Sequence, residues 1–126
     1  MTPITTKTAP EAIGPYSQAM VCGQTVYLSG QIALDPLTME LCSSDIVLQI
    51  EQVLKNLAAV CHAAGGNLNC IAKLSVYLTD LSYFSLVNEA MTHHFTAPYP
   101  ARAVIEVSAL PKGALVEMDG VMYLPD

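Results

Sequence analysis

Arg102 and Glu117 are the residues whose types and surroundings point most directly to chemistry. Each charge sits in an apolar run. The runs are Ala101-Arg102-Ala103-Val104-Ile105-Glu106-Val107 and Leu115-Val116-Glu117-Met118, with the turn Pro111-Lys112-Gly113 between them. A guanidinium gains short, bidentate, charge-assisted hydrogen bonds from a carboxylate, whereas one left half buried and unpaired carries a large desolvation penalty. Arg102 therefore requires an anion, either an internal Asp or Glu or a bound ligand. A carboxylate such as Glu117, if partial burial raises its proton affinity, is suited to orienting a water and moving protons near neutral pH.

Three further groups qualify on local grounds. Tyr16 ends the loop Ile13-Gly14-Pro15-Tyr16, where Gly permits unusual backbone angles and Pro fixes one. From chemistry alone it reads as a packed aromatic with a hydrogen-bonded hydroxyl. Ser29 offers a hydroxyl, and Gly30 lets a ligand approach the backbone closely, although the pair alone is also an ordinary strand end. Asn88 reads as a polar residue on a helix surface. One cation, one carboxylate, one phenol and a close backbone approach suit a small anionic substrate.

Other chemistries find little support. His93 and His94 are adjacent, so on a helix they point about 100° apart and do not share a metal as an i, i+4 pair does. With His62 they read as surface or capping histidines. Cys61 beside His62 fails as a nucleophile and base for the same directional reason. Cys22, Cys42, Cys61 and Cys70 form no C-x-x-C pair and read as reduced, mainly small apolar core residues. There is no G-x-S-x-G, P-loop or dinucleotide fingerprint, and no metal or cofactor is expected.

The elements that must position these groups follow from periodicity and punctuation. Thr5–Thr8 is expected to be a short first strand. Gln18–Cys22 and Thr25–Ser29 flank Gly23-Gln24, a hairpin signal, with Val26 and Leu28 on one face and Tyr27 and Ser29 on the other. After the connection Asp35–Leu41, Ser43-Ser44-Asp45 supplies N-cap chemistry for a helix carrying Ile46, Ile50, Val53, Leu54, Leu57, Cys61 and Ala64 on its apolar side, ending at Gly65-Gly66. Ala72, Leu74, Val76 and Leu78 alternate with Lys73, Ser75, Tyr77 and Thr79, which predicts a strand. Asp80 or Ser82 caps a second helix with Phe84, Val87, Met91 and Phe95 on its apolar face, stopped by Pro98 and Pro100. Two strands close the chain. This order describes an α+β domain spanning residues 1–126, with two helices on one sheet face and the other face left for subunit contacts.

Composition agrees. The 126 residues are 52% hydrophobic and 13% charged, against roughly 25% charged in average domains. So few charges argue for surface buried between subunits. A net charge of −6 with only five Lys and Arg works against nucleic-acid binding. No run approaches a membrane-spanning length and the first residues lack an apolar leader, so a soluble cytoplasmic protein is expected.

Pro100-Ala101-Arg102, a short apolar strand, Leu110-Pro111 and Val116-Glu117-Met118 together resemble the signature of the Rid family, the reactive-intermediate deaminases also called the YjgF family. Gly14-Pro15-Tyr16-Ser17-Gln18-Ala19, Ser29-Gly30-Gln31-Ile32, Lys73–Asp80, Asn88 and Phe95 match the family's order and spacing, over almost the whole chain. Within the family the likeness is to RidA-like 2-iminobutanoate/2-iminopropanoate deaminases.

The resemblance implies a chorismate mutase-like (YjgF) fold with a mixed sheet of about six strands. It also implies a homotrimer with ligand sites in clefts between subunits. The implied reaction is hydrolysis of 2-imino or enamine acids such as 2-aminoacrylate to 2-oxo acids and ammonia. Arg102, Glu117 and Tyr16 are the implied catalytic residues, and Ser29, Gly30, Arg102, Val104 and Asn88 the implied substrate contacts. Three positions depart from the common pattern: Met39 replaces Gly, Ile50 replaces Thr and Val104 replaces Cys. The competing readings are a non-catalytic binder or sensor of 2-oxo acids using the same Arg clamp and, against the acidic balance, an endoribonuclease.

One geometric expectation concerns the last two strands. If they paired as a simple hairpin near Lys112, Arg102 and Glu117 would be offset by about four residues, roughly 13 Å. Either those strands are not neighbours or the pocket draws on two chains.

Overall fold

A computed structural model describes residues 1–125. The elements are β1 (Thr2–Ile4), β2 (Ala19–Cys22), β3 (Thr25–Gln31), α1 (Ile46–Ala63), β4 (Ile71–Leu78), α2 (Phe84–His94), β5 (Ala101–Glu106) and β6 (Val116–Tyr123). The strands form one mixed sheet in the order β1-β2-β3-β6-β4-β5, in which only β4 and β5 run parallel. A parallel pair needs a crossover, and α2 supplies it. β6 threads between β3 and β4, so β5 and β6 are not neighbours and the hairpin alternative is not realised.

α1 forms where predicted. Asp45 accepts a hydrogen bond from Leu48 N at 3.0 Å. At the other end Gly65 turns into the left-handed region (φ 96°), while Gly66 N donates back to Cys61 O. Its buried stripe includes Ile50, Val53, Leu54, Leu57, Val60 and Cys61, which meet Leu74, Val76, Leu78, Met118 and Met122 of the sheet. Each fully buried Leu of this kind contributes about 1.5–3 kcal/mol. The core thus lies between the two helices and one sheet face. The opposite face keeps Tyr27, Ile105 and Tyr123 about half exposed.

Several local expectations are corrected. The first strand is Thr2–Ile4 and not Thr5–Thr8. The threonines instead turn the chain: Thr6 and Thr8 share a hydroxyl hydrogen bond, and Gln18 holds the Thr6 backbone from both sides. β3 runs through Ser29 and Gly30 to Gln31, with a register shift where it pairs β6. A second irregularity between Ile71 and Lys73 turns Ile71 into the core and leaves Ala72 exposed. Leu81–Tyr83 forms a short 3-10 turn capped by Asp80 ahead of α2. Phe84, assigned to the apolar face of α2, is 42% exposed. Cys42 is exposed and not a core residue, whereas Cys61 is buried. Met39, at the position read as a departure from Gly, adopts φ 62°, the left-handed geometry that Gly favours.

Candidate active site

Glu117 lies on β6 between buried Val116 and Met118, so alternation places it on the open face of the sheet. Across β3 it meets Gly30 so closely that a Cβ there would stand 2.5 Å from Glu117 Oε2. Tyr16 and Gly30 line the same cleft, about 250 Å³, together with Pro10, Ile13 and Gln18. Burial, and then the like charge of Asp119, raises the affinity of Glu117 for its proton. This is the direction that brings a carboxyl toward general acid–base work.

The loop carrying Tyr16 is held by its own backbone and by Gln18. Tyr16 N donates to Gly14 O at 2.9 Å, and the Tyr16 hydroxyl accepts from Ile13 N at 3.3 Å. Gln18 is buried and donates to Pro10 O at 2.7 Å. Ser29 does not present a free donor, because its hydroxyl is directed at Ser17 O.

Arg102 belongs to the other side. It pairs with Leu74 of β4, a core residue, so its side chain projects on the helix-covered face. There Nη1 donates to Asn88 Oδ1 at 2.6 Å and reaches Met91 Sδ at 3.4 Å. The guanidinium carbon stands 5.1 Å from the centre of the Phe84 ring, within cation–π range. Val104 follows two residues along the same face, packed against the core. Asn88, Met91, Thr92, Tyr99, Pro100 and Arg102 line a hollow of about 460 Å³. Among the described residues no carboxylate pairs with Arg102; the ion pair present is His94–Glu51, which ties α2 to α1.

The expected residues therefore fall into two groups. Tyr16, Ser29, Gly30 and Glu117 gather around one end of β3, and Asn88, Arg102 and Val104 around the edge strand β5. Glu117 is opposite Tyr77, which is opposite Ile105. Two strand spacings and three residues then separate the Glu117 and Arg102 Cα atoms, roughly 14 Å, and the side chains leave opposite faces of the sheet.

Positioning residues escaped the sequence reading. Asn56, fully buried on α1, donates to Ile32 O and Leu34 O at 3.2 and 2.9 Å and holds the segment after β3. Gln49, also buried on α1, donates to Ser43 O and accepts from Leu115 N, both at 2.9 Å, fixing the entry to β6. Both lie inside the apolar stripe of α1. A polar side chain at such a position must find a partner, which is the signal that was available.

A further hollow, about 580 Å³, lies along α1 between Cys42 and His94, away from both groups. Burial pushes the Cys61 thiol up to about 12, so it is inert as a thiolate near neutral pH. Among the described residues no group of three His, Cys, Asp or Glu side chains is placed to hold a metal ion. None of their helices is long and apolar enough to cross a membrane.

Residues 6–124 match the family model described as Endoribonuclease L-PSP. A RutC family protein of Sinorhizobium fredii is 51% identical over 97% of this chain and 97% of its own length. The human 2-iminobutanoate/2-iminopropanoate deaminase is 42% identical over 94% and 86%. Among solved structures, RidA of an Antarctic Psychrobacter superposes with a TM-score of 0.95 at 49% identity, covering 98% of this chain and 100% of that one. Escherichia coli TdcF with bound serine gives 0.92 at 36%, covering 99% and 100%.

Proposed function

The chain belongs to the RidA/YjgF family, and from that premise we propose that it hydrolyses 2-imino and enamine acids such as 2-aminoacrylate to 2-oxo acids and ammonia. The observation that carries this reading is Arg102: a half-buried guanidinium whose in-chain partner is a neutral amide, beside an open hollow. Among the described residues it is a cation without an anion, and the carboxylate of a 2-imino acid fits its planar fork. The name of the human relative supports the reaction, and TdcF with bound serine supports a small ligand of amino-acid type.

The chemistry uses groups of this chain. An enamine acid takes a proton at C3 from solvent and gives one up from nitrogen, becoming the imine. Glu117 orients a water and accepts its proton as the oxygen adds to the C=N carbon. It returns that proton to nitrogen, giving a carbinolamine; the carbinolamine hydroxyl proton then passes through Glu117 to the amino group, the C–N bond breaks, and ammonia leaves as the carbonyl forms. Burial of Glu117 supports this role by strengthening it as a base. Tyr16 and the Gly30 backbone position the substrate, and Asn88 holds Arg102. An imine is already electrophilic, so the scheme needs neither a covalent intermediate nor a cofactor.

The site is completed between chains of a homotrimer. Arg102 and Glu117 lie on opposite faces of one sheet, and a single small substrate bridges them only if one chain's β5 edge meets another chain's open face. The half-exposed Tyr27, Ile105 and Tyr123 on that face support such a contact. The four free cysteines support a reducing, cytoplasmic setting.

The test is an assay with 2-aminoacrylate generated in place, following 2-oxo acid and ammonia together. Release of both faster than in buffer alone is expected. Binding of 2-oxo acids without any turnover would replace this reading with that of a metabolite sensor.

A further inference from the structure

Glu117 shares the open face of the sheet with a second carboxylate. Residues two apart on a strand project to the same side, about 7 Å from each other, so Asp119 stands next to Glu117 along β6. In the antiparallel register of β4 with β6, Tyr77 is opposite Glu117 and Ser75 opposite Asp119. The Tyr77 hydroxyl reaches diagonally across and donates to Asp119 Oδ2 at 3.0 Å. A carboxylate on an exposed strand face would otherwise be free to swing into solvent; this one is fastened.

We propose that Asp119, fastened by the Tyr77 hydroxyl, is a positioning residue for the hydrolysis, acting through Glu117 by fixing a negative charge beside the carboxyl that moves the proton. The proposal rests on the imine-hydrolase reading and adds to it a pair outside the Arg clamp and the base. Two carboxylates on one face repel when both are ionised, so a fixed Asp119 makes Glu117 the stronger base. The proton affinity of Glu117 is raised by burial first and by Asp119 second. The hydrogen bond to Asp119, then burial, then the charge of Asp119 keep Tyr77 in its donating form.

The other groups around Glu117 do not duplicate this. Glu11 and Tyr16 line its cleft from the N-terminal segment, and β3 contributes uncharged Gly30 and Gln31. On β4, Lys73 lies on the open face beyond Ser75, on the far side of Asp119 from Glu117. Asp119 is thus the anion adjacent to Glu117 on its own strand, with its position set by a neighbouring strand.

Asp119→Asn keeps the size and the acceptor for Tyr77 and removes only the charge. Asp119→Glu keeps the charge. Carbon-13 titration of the Glu117 carboxyl, assigned with Glu117→Gln, reads the pair directly in the purified protein without any substrate. A pH profile of kcat/KM for 2-aminoacrylate reads its consequence.

In Asp119→Asn the Glu117 midpoint is expected to move to lower pH, the acid limb of the profile to move with it, and the plateau to fall about two- to fivefold as the base weakens. Asp119→Glu should return both toward wild type. A Glu117 midpoint unchanged in Asp119→Asn overturns the proposal, as does a midpoint that moves while the acid limb stays. If wild type hydrolyses no substrate at any pH, the imine-hydrolase reading is what fails, and the carboxyl titration still reports whether Asp119 acts on Glu117.

Discussion

Gly30 is the surface on which Glu117 lies: a Cβ at Gly30 would stand 2.5 Å from Glu117 Oε2 and 3.0 Å from its Cδ. The backbone of Gly30 is not in the left-handed region, so the requirement is for space and not for a special angle. Gly30→Ala should therefore push the carboxylate aside while the strand remains intact. A displacement of about 1 Å at a reacting group costs on the order of 10²-fold in rate. The expected outcome is a fall in kcat/KM of roughly tenfold to a hundredfold with a thermal midpoint close to wild type. Full activity in the folded variant would show that the placement of Glu117 is not what the reaction needs.

Arg102→Ala separates a functional cation from a structural one. Inside the chain Arg102 contributes a hydrogen bond to Asn88, a weaker one to Met91 Sδ and a contact with the half-exposed Phe84 ring. Loss of the charged hydrogen bond and the cation–π contact is offset in part by relief of a half-buried charge without an anion, so stability should change by no more than about 3 kcal/mol. Losing several charge-assisted bonds to substrate, at about 1.5–3 kcal/mol each, should lower kcat/KM by roughly two to four orders of magnitude. Arg102→Lys keeps the charge without the fork and should recover little. Unfolding and turnover measured on one preparation decide the matter: a variant that unfolds but whose folded fraction is fully active would make Arg102 structural.

The order of elements was legible because periods of two and 3.6 alternate cleanly between Gly and Pro punctuation. Faces were legible too, as Val26 and Leu28 against Tyr27 show. Neighbours were not. Alternation states which side of a sheet a residue takes but not which strand lies beside it, so the insertion of β6 between β3 and β4 left no local trace. The Tyr77–Asp119 hydrogen bond joins residues 42 apart in sequence, beyond any periodic pattern. Phe84 misled for another reason. Its spacing matches the apolar stripe of α2, yet the ring is half exposed beside Arg102. Thr5–Thr8 was misplaced because β-branched residues also make hydroxyl-bonded turns.

The pH dependence of stability follows from Glu117. Its proton affinity in the folded chain exceeds the ordinary value, which corresponds to a pKa of 4.5. Between that value and the raised one, the folded state binds more protons than the unfolded state, so stability falls as pH rises through this window. At neutral pH the carboxyl of Glu117 is therefore a net cost. Glu117→Gln should be at least as stable as wild type at pH 7, by no more than about 1 kcal/mol because solvent still screens the group. Below the ordinary glutamate range, where wild type is protonated in both states, the two proteins should unfold alike. Denaturant titrations at about pH 3 and pH 7 test the sign; Glu117→Gln less stable than wild type at pH 7 alone would contradict it.

The opposed faces of Arg102 and Glu117 lead to the most direct test of a site shared between chains. Arg102→Ala chains retain an intact Glu117 cleft, and Glu117→Gln chains retain an intact Arg102 hollow. Each variant alone should be nearly inactive, since every site it forms lacks one of the two groups. When the variants are unfolded together and refolded, or coexpressed with different tags and purified as mixed oligomers, some sites receive Arg102 from one chain and Glu117 from another. Random assortment at equal amounts makes about one quarter of the sites fully wild type, so activity should return to about that fraction of the wild-type value. The opposed faces argue against a site built within one chain, because both groups would then have to reach one small molecule through the sheet between them. Mixed oligomers that form and remain inactive would show that substrate meets Arg102 and Glu117 of the same chain after all.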